Sequence, residues 1–249
     1  MPLLPDKDFR RVLCVAAHPD DLEYGTSAAM AVWTSRGVEV RYLMLTHGEA
    51  GMDSTDPAET SRIRTAEQIS AGQAVGVSEV ACLDHPDGVM QESLELRRDI
   101  ARVIRRFRPD VVLTGSWELE FVAGLNQADH RVAGIATLDA VRDAGNRWVF
   151  PELLDEDLPP WSVTWLLVSG HTQPNYAVEV TGAALEAGIA SLEAHARYLA
   201  GIPGHPTPRD LITMVSTGQG RAAGVEAAVL LRGWNLAAPP PMPGDEPAS

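Results

Sequence analysis

Arg11-Val12-Leu13-Cys14-Val15-Ala16-Ala17 is an apolar run that stops abruptly at His18-Pro19-Asp20-Asp21. A short run of this kind, rich in β-branched residues and closed by polar turn residues, reads as a buried strand. A helical pattern follows from Thr26, taken as the N-cap, to Arg36, with Gly37 where a C′ residue belongs. The same alternation then repeats: a strand over 38–46, a helix over 57–75 that stops at Gly76, a strand over 80–83 and a helix over 94–107. In that last helix Leu96, Ile100, Val103, Ile104 and Phe107 recur at helical spacing. Pro109 breaks it, residues 110–115 form a fourth strand, and a longer loop leads to a helix over 128–144. Strand followed by helix four times over predicts an α/β fold. The expected form is Rossmann-like: a mostly parallel, doubly wound sheet with helices on both faces, in a single domain over 1–236. Strands are expected over 163–169 and 177–180, helices over 182–199 and 211–232, and a disordered Pro-rich tail over 237–249.

Composition narrows the function classes. The 249 residues carry 20 Lys and Arg against 34 Asp and Glu, a formal net charge of −14. Such a field repels nucleic acid and anionic bilayers, whose affinity for proteins rests on basic groups neutralising phosphates. Neither nucleic acid nor membrane is therefore expected as a partner. Two cysteines, Cys14 and Cys82, cannot build a disulfide scaffold or a four-thiolate zinc site, and both read as small buried hydrophobes. The first residues lack the apolar core of a signal peptide, so a cytoplasmic location is expected.

In doubly wound sheets ligands bind outside the carboxyl ends of the strands. After the first strand a dinucleotide binder needs Gly-x-Gly-x-x-Gly; here the turn is His18-Pro19-Asp20-Asp21-Leu22-Glu23-Tyr24-Gly25. No Walker loop and no Gly-x-Ser-x-Gly elbow is present either. What the turn offers is an imidazole and two adjacent carboxylates. His18 and Asp21, three apart, can aim at one point and leave Asp20 free beside it. Hydrolytic zinc takes three N/O ligands and keeps one position open. His130, in Ala128-Asp129-His130-Arg131 at the start of the helix after strand four, can supply the third. The spare carboxylate is then the proton acceptor that hydrolysis requires.

Taken together, Ala17-His18-Pro19-Asp20-Asp21, Thr46-His47-Gly48-Glu49-Ala50-Gly51 and Asp129-His130-Arg131 resemble the LmbE-like (PIG-L) zinc-dependent N-deacetylases, over roughly residues 11–145. That family includes deacetylases of N-acetylglucosaminyl-phosphatidylinositol, of mycothiol and bacillithiol precursors and of glycopeptide antibiotic sugars. The resemblance implies one Zn²⁺ per chain, with Fe²⁺ as the alternative ion, on His18, Asp21 and His130, and Asp20 as general base. It implies Arg64, in Arg64-Thr65-Ala66-Glu67, and Asp87, in Asp84-His85-Pro86-Asp87-Gly88, as sugar-binding residues, with Glu49 beside them.

One departure bears on mechanism. Family members commonly carry His-Pro-Asp-His before the helix, where this chain has Gln127-Ala128-Asp129-His130. Gln127 donates a hydrogen bond but cannot deliver a proton. His171, after the strand over 163–169, is the expected substitute, with His47 and His85 next. Asp129 is read as a capping or supporting carboxylate, Trp117 as a packing residue, and His195 and His205 as solvated. The expected function is removal of an acetyl group from an N-acetylated amino sugar, such as N-acetylglucosamine, or its conjugate. The alternatives are a non-catalytic or regulatory sugar-binding descendant and a metal-dependent hydrolase of a larger amide conjugate. The expected partner is that small N-acetylated sugar or conjugate; whether the chain forms a homo-oligomer is left open.

Overall fold

Strand β1 (Arg11–Ala16) explains the whole layout, because both of its faces are buried. Val12, Cys14 and Ala16 point into one apolar cluster, while Leu13, Val15 and Ala17 point into another. That is the pattern of a parallel strand covered by helices on each side. The computed structural model describes residues 1–237, so the expected tail lies, apart from Ala237, outside the described residues. From β1 the chain continues through α1 (Ser27–Ser35), β2 (Glu39–Met44), α2 (Pro57–Ala74), β3 (Glu79–Cys82), α3 (Leu94–Phe107) and β4 (Val111–Gly115). A two-residue-stranded hairpin, β5 (Glu120–Phe121) and β6 (Gly124–Leu125), precedes α4 (Ala128–Ala144). A 3₁₀ turn, Pro151–Leu154, then leads to β7 (Trp165–Ser169) and β8 (Tyr176–Glu179). The chain finishes with α5 (Ala183–Glu193), α6 (Ala196–Ala200), α7 (Pro208–Ala223) and β9 (Ala228–Asn235).

The seven-stranded sheet has the order β3-β2-β1-β4-β7-β9-β8. The first five in that order pair in parallel, and β9 runs antiparallel between β7 and β8. The reversal of winding between β1 and β4 opens the crevice where such sheets hold their ligands. Helices α3 and α4 bury Leu96, Ile100, Ile104, Ala133, Ala136 and Ala140 on one face, and α1 and α5 cover the other. No helix among the described residues is long and apolar enough to cross a membrane.

The second half departs from the expected elements. The helix expected over 211–232 ends at Ala223, because Gly224 adopts a left-handed conformation (φ 76°) and caps it; the rest becomes β9. The helix expected over 182–199 is two helices broken at Ala194-His195. Thr26 flanks α1 without a capping bond, and its hydroxyl instead donates to the Leu22 carbonyl at 2.7 Å. His195, expected in solvent, is fully buried 3.6 Å from the buried carboxylate of Glu23.

Candidate functional site

The loop after β1 carries the site, and its backbone is strained there. Asp20 has φ 94°, a left-handed conformation that a non-glycine residue holds only when its surroundings impose it. The surroundings are visible. The Asp20 N–H donates to Gln68 Oε1 at 2.8 Å, and Arg64 Nη2 reaches Asp20 Oδ1 at 3.1 Å. The same guanidinium donates to the carbonyls of Gly48, at 3.1 Å, and Pro19. A Cβ on Gly48 would collide with that guanidinium, so glycine is required to let Arg64 in. The far side of the guanidinium lies 4.0 Å from the ring centre of Tyr198, and α6 holds that tyrosine in place by donating its N-terminal amides to Glu67.

Two histidines converge beside Asp20. His18 Nδ1 is 3.7 Å from Asp21 Oδ2, and His130 Nε2 is 3.0 Å from Asp21 Oδ1. His130 reaches this point because α4 starts close against the end of β4: a Cβ on Gly134 would stand 2.7 Å from the Gly115 carbonyl. The second nitrogen of each ring is held from behind. His18 Nε2 lies 2.9 Å from Asp87 and 3.4 Å from Asp129, and His130 Nδ1 lies 3.3 Å from Asn126 Oδ1.

Among the described residues two groups of donors could therefore hold a cation: His18 with Asp21 and His130, and His18 with Asp87 and Asp129. The chemistry of the donors favours the first. Asp129 already accepts the backbone N–H of Gly88 (2.7 Å) and of Met90 (3.2 Å), and Asp87 accepts that of Ala50 (2.7 Å). Those carboxylates anchor the loop after β3 and orient His18, which is how acceptors behind a metal-bound imidazole behave. In the first group Asp21 Oδ2 accepts the His18 backbone N–H at 2.9 Å, while Oδ1 meets only the His130 imidazole, a contact that a cation ligated by both side chains would take over.

Electrostatics in the site follow from crowding. Burial disfavours a charged His18 imidazole, but Asp21 and Asp87 outweigh it and push the ring up to about 10. Burial likewise opposes charge on His130, and Asp21 again wins, raising it. Asp21 is buried too, yet the two imidazoles hold it well below the usual carboxylate range. Burial pushes the Asp20 carboxyl up, Arg64 pulls it down and Asp21 pushes it up again, leaving it at about 7. A carboxyl at that value exchanges its proton with solvent near neutrality.

A cavity of about 350 Å³ opens over these residues, lined by His18, Asp20, Asp21, Arg64, Asp87 and Gln127 among others. Glu49 is not part of its lining, contrary to expectation: it accepts the Asp87 N–H at 3.0 Å and so supports the loop. His171 does not reach the cavity either. Its ring packs edge-on against Trp117 and Trp234, and its Nδ1 accepts the Gln173 N–H at 3.0 Å. His47 and His85 are engaged by Asp84 and Asp99 outside the cavity. Sequence reasoning passed over Tyr24 and Tyr198, which line the cavity, and over Gln68 and Asn126, which hold Asp20 and His130. Tyr24 lies in the decisive loop and was findable; the others belong to no recognisable motif.

Known proteins share this arrangement of elements. The chain is 31% identical to a diacetylchitobiose deacetylase of Thermococcus kodakarensis over 179 residues, covering 71% of this chain and 66% of that protein. It is 32% identical over 173 residues to a 1D-myo-inositol 2-acetamido-2-deoxy-alpha-D-glucopyranoside deacetylase of Kineococcus radiotolerans, covering 55% and 48%. The match thus spans about half to two thirds of these relatives' lengths. Among solved structures, the N,N′-diacetylchitobiose deacetylase of Pyrococcus horikoshii superposes with a TM-score of 0.83 at 25% identity, over 93% of this chain and 86% of that one. A 4-carboxy-2-hydroxymuconate hydratase of Pseudomonas putida, at 18% identity and TM-score 0.75, shares the fold over 94% of this chain and 100% of that one. The family model described as PIG-L, GlcNAc-PI de-N-acetylase, matches residues 13–141, which include every element that carries the candidate site except α6. By that match the chain belongs to the PIG-L family.

Proposed function

We propose that the protein is a metal-dependent hydrolase that removes the acetyl group from an N-acetylated amino sugar or its conjugate. The observation that carries this reading is the convergence of His18, Asp21 and His130, whose donor atoms lie within 4.8 Å of one another beside the strained Asp20. Three N/O donors with acceptors behind both imidazoles fit a single zinc, with iron(II) as the alternative. A divalent cation there supplies Lewis acidity, lowering the pKa of water and polarising an amide carbonyl.

Each residue around it then has a task. Asp20, fixed by Gln68 and Arg64, takes a proton from the attacking water and returns it to the departing amine. Gln127, lining the cavity from the start of α4, donates its side-chain N–H to the oxyanion that develops on the amide carbonyl. It stands where His171 was expected to act. Asp87 and Arg64, with Tyr24 and Tyr198 beside them in the lining, offer the fixed polar groups that a polyol needs. The relatives named as deacetylases of diacetylchitobiose and of a 2-acetamido-2-deoxy-glucopyranoside support the same substrate class. Purified protein should bind close to one equivalent of metal and release primary amine from N-acetylglucosamine or diacetylchitobiose. Metal binding with no amine released across a panel of acetylated sugars would favour a sugar-binding descendant instead.

A further inference from the structure

A second cavity, of about 420 Å³, adjoins the first and shares Asp21, Tyr24 and His130 with it. Its walls are apolar: Leu22 from the β1 loop, Phe121 and Val122 from the β5–β6 hairpin, Leu211 and Val215 from α7, and Leu230 from β9. The polar groups among its walls are engaged within the protein. Asn126 donates to the carbonyls of Ser116 and Glu118, the Ser116 hydroxyl accepts the Glu118 N–H, the Ser169 hydroxyl donates to the Thr114 carbonyl, and Gln219 accepts the Leu230 N–H. A sugar would find few free partners there; a hydrocarbon would find its natural surroundings.

We propose that this cavity is an acyl subsite, and that the protein hydrolyses N-acyl amino sugars bearing chains of about four to eight carbons in preference to acetyl. This rests on the hydrolase reading above and specifies its substrate. The carbonyl carbon of an amide carries three substituents in a plane: the oxygen, the nitrogen with its sugar, and the acyl chain. With the sugar among Arg64, Asp87 and Tyr198 in the polar cavity, and the oxygen at the ligand cluster, the acyl chain is the remaining arm. The apolar cavity meets the site at that same cluster, through Asp21 and His130. Its volume falls within the roughly 300–1,000 Å³ of sites that enclose whole drug-sized ligands, whereas an acetyl group would place a single methyl in it. Hydrolysis breaks the C–N bond, adds the water oxygen to the acyl carbon and leaves a carboxylate and a free amine.

The test compares amine release from N-acetyl-, N-butanoyl- and N-hexanoylglucosamine and from the octyl glycoside of N-acetylglucosamine. In parallel, calorimetry measures binding of the acetyl and hexanoyl compounds to metal-stripped protein. Each buried methylene contributes up to about fourfold, so kcat/KM and affinity should both rise at least about tenfold from acetyl to hexanoyl. Val215→Trp, which narrows the cavity, should erase that gain. Equal or weaker binding of the hexanoyl compound, or a rate that falls steadily beyond acetyl, would overturn the acyl subsite while leaving the hydrolase reading standing. Tighter hexanoyl binding without any turnover would instead overturn the hydrolase reading and leave the apolar site. A gain confined to the octyl glycoside would assign the cavity to the aglycone and overturn the proposal.

Discussion

Arg64 Nη2 stands 3.1 Å from Asp20 Oδ1, with both side chains buried, and the pair ties the loop after β1 to α2. The guanidinium is almost completely enclosed, at 3% exposure, and is already committed to two backbone carbonyls as well as to Asp20. Its first task is therefore to set the geometry and charge of Asp20, and only its remaining surface is available to substrate.

Replacing it changes a titration. Burial raises the Asp20 carboxyl and Arg64 lowers it, so removing the positive charge must raise it further. The base form then appears only at higher pH. The acid limb of kcat/KM should fall at or below about pH 7 in the native protein, since a bound cation lowers it further, and should move upward in Arg64→Gln. A pH profile of both proteins checks this, and an unmoved limb would detach Arg64 from the base.

Asp20→Asn should fold and bind metal yet lose about 10²–10⁴ of its rate, the usual loss with a general base. Asn tolerates the left-handed φ of this position better than other non-glycine residues and keeps the shape of the side chain. Turnover with metal content measured on the same sample separates the two effects. Near-native turnover would mean that another group takes the proton.

Gln127→Ala should lower kcat by about 10², the scale of one lost oxyanion donor. It should leave thermal stability almost unchanged, because Gln127 is exposed and makes no capping bond. His171→Ala should do the reverse. Its ring fills space between Trp117 and Trp234, so the variant should melt at lower temperature and retain its turnover. Steady-state kinetics beside a thermal melt of each variant distinguishes the two residues.

How far the sequence was legible follows from where the information resides. The β1 run and the turn after it were readable because the apolar stretch and the polar break are contiguous, and the spacing of His18 and Asp21 needs no distant partner. Strand β9 was not: Ala228 to Leu231 continue a helix-like composition, and only the left-handed Gly224 ends α7 before them. His195 was unreadable for a related reason. Its burial depends on Glu23, far away in the chain, and on the break between α5 and α6. The supports of the site share this property, since Gln68 meets Asp20 and Tyr198 meets Arg64 only after the sheet is assembled.

Metal binding should release protons. With no cation, Asp21 and Asp87 hold His18 at about 10 and Asp21 raises His130, so at pH 7 to 8 proton occupancy competes with ligation. Affinity for zinc should therefore weaken as pH falls. Titration calorimetry in two buffers of different ionisation enthalpy should show between one and two protons released per ion. Proton-neutral binding would place the ion away from His18 and His130.

The most direct single measurement is primary amine released from N-acetylglucosamine conjugates by chelator-stripped protein titrated with zinc, alongside the same titration of His130→Ala. The reading predicts that release is negligible without metal, rises to a plateau near one equivalent in the native protein and stays negligible in the variant. Release that is indifferent to the chelator, or that survives fully in His130→Ala, would contradict it.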